Sequence, residues 1–249
     1  MGRRMTEATT TDYQELLAMI REIHGGLNVQ EMAQQFVDVL YGRFSDTLVL
    51  LRLFVTLPYS QLPLEDQQFV DRKGWDTNTF HQINAATPIF TLLGTQGARP
   101  EWNNRMSSTF FRCIPLVSTA FISSLSMLSQ QFKSVGLDLG LIDAWNTRFT
   151  AEGRADQYRG MLYIREAGVD RDTLGRLIVP KQEFVNANHV KTTLGFGCGY
   201  TGHASLLTLF AFTNEILERP VVEPIASLLE TFRDLTEESI RKGRLFPVR

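Results

Sequence analysis

The chain is short of most residues that would tie it to familiar chemistry. Its 249 residues hold only two cysteines, Cys113 and Cys198, and four histidines, His24, His81, His189 and His203. Two cysteines cannot build a multi-bridge disulfide framework, and they fit a reduced, cytoplasmic protein. No two histidines stand at i, i+4, HExxH does not occur, and no Cys/His set has zinc-site spacing. No metal ligand and no catalytic residue is therefore assigned. An excess of one charge is also missing: 25 basic residues face 27 acidic ones, for a net charge of −2. That balance argues against a nucleic-acid partner. A membrane partner is not expected either, because no apolar run reaches the about 20 residues that a spanning helix needs. The longest candidate, Leu48 to Val55, is interrupted by Arg52. The opening MGRRMTEATTTD has no apolar core, so it is not read as a secretory signal.

What remains is an ordinary globular composition, 43% hydrophobic and 21% charged, with enough apolar residues for a full core. Asp12 and Glu15 suit a capping box, followed by Leu16, Ile20, Ile23 and Leu27 at helical spacing. A second helix is expected from Asn28, with Val29, Met32, Ala33, Phe36, Val37, Leu40 and Phe44 as its apolar stripe. Thr47 to Val55, Pro88 to Leu93 and Phe110 to Val117 read as strands, the last at an edge because of Pro115. Gly94 to Gly97 reads as a turn. Phe121 to Val135 is the clearest helix: Phe121, Leu125, Leu128, Phe132 and Val135 share one face, with serines and glutamines opposite, and Gly136 ends it. Arg159 to Ile164, Val190 to Phe196 and Ser205 to Thr213 read as further strands. Lys181 to Asn188 reads as a short helix, and Val222 to Ile240 as a long one. Strands grouped between terminal helices favour an α+β fold with an antiparallel sheet.

The order of these elements, the stretch Phe184 to Leu217 and the run Ile114 to Ser118 before a helix resemble a GAF-like sensor domain of the GAF/PAS superfamily. The resemblance covers residues 28–241, leaving 1–27 as an N-terminal segment and helix and 242–249 as a tail. The segments 57–85 and 137–180 are longer than a minimal domain of this kind needs. The resemblance implies a ligand pocket between the sheet and the helix Phe121 to Val135. Ser118, Thr119, Ser123, Ser124 and Ser126 would supply polar groups there. It implies a small molecule or cofactor, of unknown identity, whose binding is passed through the terminal helices to a separate signalling protein.

Three local patterns compete with simple core packing. Gly197 to Gly202 matches G-x-G-x-x-G, which would cradle a nucleotide if a helix followed it. The apolar run after it reads as a strand instead, so a glycine-rich hairpin is preferred. Cys198 could serve as a nucleophile with His203 or His189 as its base, although buried structural cysteines are commoner. The stretch Gly94 to Arg112 gathers Arg99, Trp102, Arg105 and Arg112, a combination suited to anionic or aromatic ligands. The candidate ligand-binding set is Arg99, Trp102, Arg105, Arg112, Phe121, Cys198, Tyr200 and His203. A protein-interaction module without ligand is the remaining alternative. Two apolar stripes, on the first and last helices, exceed what one sheet face was expected to cover, so a homodimer is expected.

Overall fold

The computed structural model describes residues 2–23, 28–73, 83–109, 111–144 and 155–247. Leu27, His24, His81, Phe110, Trp145 and part of the 57–85 segment fall outside them. The fold is α+β, built on one six-stranded sheet in which every pairing is antiparallel. The strands are β1 (Leu48–Pro58), β2 (Pro88–Gly97), β3 (Cys113–Pro115), β4 (Arg159–Ile164), β5 (Thr193–Gly199) and β6 (Leu206–Thr213), in the order β3-β2-β1-β6-β5-β4. The two most continuously apolar strands, β1 and β6, sit at the centre, where both faces are covered. β3 is shorter than expected and lies at an edge, where Pro115 forfeits no ladder bond to a further strand.

Three long helices cover the first face. They are α1 (Thr10–Arg21), α2 (Val29–Phe44) and α8 (Pro224–Arg241). The α2 stripe is buried as expected, and Asn28 with Glu31 caps it reciprocally. The α1 cap differs from expectation. Thr9 is the N-cap, and Asp12 closes the box from the third helical position. Leu16, Ile20 and Ile23 meet Ile225, Leu228 and Phe232 in one core, and Phe36 lies 4.7 Å from Phe232. The described residues of both terminal stripes are thus covered within the chain. Met5 and Leu245 join the same core, so the end segments pack into the domain.

α2 presses close to the sheet at Gly94. A Cβ there would come within 2.5 Å of the Ala33 carbonyl oxygen. The expected turn at Gly94 to Gly97 is therefore the end of β2, and the glycine serves a close approach rather than a bend.

The second face carries α4 (Thr119–Ser124), α5 (Ser126–Ser134) and α6 (Gln182–Ala187), while α3 (Leu64–Arg72) sits beside β3 and the four-residue α7 (Arg219–Val222) leads into α8. The single helix expected over 121–135 is two helices. Leu125, at φ −92° and ψ 84°, leaves helical geometry, and the Ser126 hydroxyl donates to the carbonyls of Leu177 and Ile178. Leu128 and Phe132 still pack on the sheet, and Gly136 ends α5 at φ +85°. Gln131, assigned to the polar side, instead faces the sheet and is fully buried.

Candidate functional site

The eight candidate residues do not converge. Arg105 and Arg112 are buried around Asp66 of α3. The Arg105 guanidinium donates to Asp66 at 2.5 Å and to the Leu92 carbonyl at 2.7 Å. Arg112 Nε stands 3.1 Å from the other Asp66 oxygen, at ion-pair distance though not aligned as a hydrogen bond. Arg112 also stacks 4.2 Å over Phe69. These two arginines fasten α3 and the 98–112 loop to the sheet edge. Arg99 and Trp102 stand apart from them. Arg99 lies 5.2 Å over the Trp102 ring, and Trp102 meets Phe184 edge-on at 5.6 Å. Trp102 and Phe121 both pack against the core of the second face.

Cys198 and Tyr200 belong to the opposite core, under α8. Burial pushes the Cys198 thiol up to about 12, whereas a nucleophile needs its thiolate. Tyr200 is fully buried, its hydroxyl 2.8 Å from that of Thr236, and burial drives its acidity down further. His203 lies half-buried in the β5–β6 turn. His189 precedes β5, while Cys198 is five residues along it, about 17 Å of extended strand away. The nucleophilic pairing of Cys198 with His189 is not assembled. The G-x-G-x-x-G pattern has no phosphate geometry either: Gly197 and Gly199 lie inside β5, and a strand follows instead of a helix. Gly195 and Gly197 make room for α5. A Cβ on Gly195 would meet the Gln131 amide oxygen at 1.9 Å, and one on Gly197 would meet Val135 at 2.5 Å.

A different polar set lies on the second face. Strand alternation sends Arg52 of β1, Thr208 of β6 and Thr193 of β5 toward α5, away from α1, α2 and α8. Arg52 Nε, both amide atoms of Gln131, and the hydroxyls of Thr193 and Thr208 are buried without a hydrogen-bond partner. Buried polar atoms are nearly always paired, and each exception asks for a reason. Here five fall on one face. They adjoin an aromatic group in which Phe54 stacks on Phe90 at 4.4 Å and Phe90 meets Phe132 at 5.8 Å. Sequence reading passed over these residues. The one visible signal was a lone arginine inside an otherwise apolar strand.

Two surface clefts lie elsewhere. One of about 290 Å³ is bordered by Glu166, Val185, His189 and Lys191. The other, about 200 Å³, runs between β4, β5 and α7–α8 and is bordered by Arg159, Phe196, Leu229 and Glu230. Among the described residues no group of three His, Cys, Asp or Glu could hold a metal ion. No described helix is long and apolar enough to cross a membrane.

No protein-family model matches the chain, and no curated protein matches it in sequence. Among solved structures it is similar to a free methionine-R-sulfoxide reductase from Neisseria meningitidis in complex with its substrate, at 9% identity and TM-score 0.49, covering 98% of each chain. It is also similar to a phycoerythrobilin-bound GAF domain from a cyanobacterial phytochrome, at 7% identity and TM-score 0.48, covering 97% of this chain and 98% of that one. A third is the GAF domain of an Acinetobacter phosphoenolpyruvate-protein phosphotransferase, at 8% identity and TM-score 0.44, covering 97% and 100%. The α+β class and the all-antiparallel sheet are as expected from the sequence. At these scores nothing about ligand or activity carries over.

Proposed function

We propose that this chain is a small-molecule-binding sensor domain whose ligand sits on the sheet face under α5. One observation carries the reading: five buried polar atoms, from Arg52, Gln131, Thr193 and Thr208, lack partners on that single face. A binding site holds a few polar groups in an apolar wall, and it keeps them unsatisfied until the ligand arrives. The aromatic group around Phe54, Phe90 and Phe210 supplies the wall. Arg99, Trp102 and Phe121 border the same side of the sheet and remain in the proposed ligand neighbourhood.

The signal would leave through the terminal helices to a separate partner. Strand β5 supports such a route. Gly195 and Gly197 touch Gln131, while the alternate residues Phe196 and Cys198 belong to the core shared with α1 and α8. Tyr200, just beyond β5, bonds Thr236 of α8. A shift of α5 would therefore reach α8 through a single strand. A homodimer would need a surface other than the two terminal stripes, because those cover each other.

Native mass spectrometry of the freshly purified chain tests the reading. A bound species above the 28.3 kDa chain mass, released on denaturation and lost in Gln131→Leu, is the expected result. A bare chain in every preparation, with no stabilising compound in a metabolite screen, would favour the ligand-free interaction module.

A further inference from the structure

We propose that the α5 face takes a small organic anion, with its carboxylate or phosphate group on Arg52 and its far end on Gln131. This rests on the small-molecule reading above and adds the ligand's charge and reach. Arg52 stands mid-strand in β1, paired in register with Thr95 of β2 and Phe210 of β6. The next residue along that row is Gly195 of β5, against which the Gln131 amide rests. The backbone positions of Arg52 and of the Gly195 beneath the Gln131 amide are thus two strand spacings apart, about 10 Å. Phe210 lies between them as an apolar floor. The row offers a cationic fork, a flat apolar middle and an amide, at the length of a small ring compound with a charged end.

The charge on Arg52 decides the ligand class. Burial alone pushes its guanidinium down to about 10, with no acid acting in the opposite sense. Acids carried by the segments over this face are engaged elsewhere. Asp143 accepts from the Thr119 amide, Asp172 holds Arg176, and Asp170 accepts from the Glu166 amide. A guanidinium whose Nε is buried without a partner sits in an unfavourable setting. Arg52 is also only partly exposed, although its strand is bonded on both sides and its Nε is sealed. The remaining exposure therefore belongs to the far end of the side chain. A carboxylate or phosphate reaching that end supplies the missing partner through two parallel hydrogen bonds. A neutral ligand would leave the charge as it was.

The test follows thermal unfolding of the full chain with benzoate, phenyl phosphate or uncharged benzamide, for wild type and Arg52→Met. One or both anions should raise the wild-type Tm by several degrees, saturably, and benzamide should not. Which anion acts distinguishes a carboxylate from a phosphate ligand. Without additives, Arg52→Met should melt at or above wild type, since it removes a guanidinium whose Nε is buried without a partner, and it should ignore both anions. The assignment is overturned if benzamide matches benzoate, if no compound acts, if the variant still responds, or if the variant alone is markedly less stable. A bound neutral species in the native mass spectrum, without any anion response, would end this assignment while leaving the small-molecule reading in place.

Discussion

Asp66 shows how one side chain can determine what a loop does. Its carboxylate is fully buried between Arg105 and Arg112, which are themselves 4% and 8% exposed. Removing one partner of a buried ion pair costs about 3–5 kcal/mol, because the other charge stays behind. Asp66→Ala should lose about that much in a reversible urea melt. A loss under about 1 kcal/mol would mean that the two arginines find water instead. Arg105 and Arg112 were expected on a ligand, because an arginine-rich loop looks the same whether its acid is a ligand or, as for Arg105, lies 39 residues away on a helix. Cys198 makes a second test at this scale. With its thiol held up at about 12 by burial, iodoacetamide should modify it only as fast as the native fold opens. Labelling faster than that of a free thiol would restore the nucleophile reading.

At the level of elements, close approach explains what propensity could not. Gly94→Val would drive a side chain into the Ala33 carbonyl, 2.5 Å from the position of its Cβ. It should therefore destabilise the protein by more than about 2 kcal/mol in a urea melt, as overpacking typically costs about 1–3 kcal/mol. A glycine in a genuine turn of ordinary φ would tolerate the change. Leu128→Ala should cost about 2–5 kcal/mol, since Leu128 is buried between α5 and the sheet. The strands and long helices were legible because their periodicity is local. Leu48–Pro58 is apolar apart from Arg52 and Thr56, and α2 shows its stripe every three or four residues. The break at Leu125 was not legible, since its cause lies about 50 residues on, where Ser126 bonds the carbonyls of Leu177 and Ile178. Nor was the inward turn of Gln131, which depends on two glycines of β5 leaving space beneath α5. The proposed site was hidden for the same reason. Arg52, Gln131, Thr193 and Thr208 come from four separate elements and become a set only when the sheet is assembled.

Across the whole molecule, acid sensitivity follows from how the N-terminal region is tied down. Hydrogen bonds from the Thr9 backbone and side chain, aided by Arg3, hold the Asp12 carboxyl at about 2, below its ordinary 3.8. Arg43 reaches the same carboxylate from α2, at 3.1 Å. A group with a depressed folded pKa contributes stability that is present above its unfolded value and lost as pH falls through its folded value. The protein should therefore lose stability between about pH 4 and pH 2. Asp12→Asn should be less stable than wild type at pH 7, with the gap closing toward pH 2. A gap that stayed constant over this range would remove Asp12 from the cause.

The backbone contacts at the two chain ends also set a mechanical property. Arg3 N–H donates to the Arg43 carbonyl at the C-terminal end of α2, while Val29 and Gln30 N–H donate to the carbonyls of Arg244 and Leu245 at its N-terminal end. The 16-residue α2 spans about 24 Å at 1.5 Å per residue, so the two ends of the chain grip opposite ends of one rod. Tension applied between them would be borne first by these few end contacts, shearing the clasps along the axis of α2 before any strand of the sheet is peeled from its neighbour.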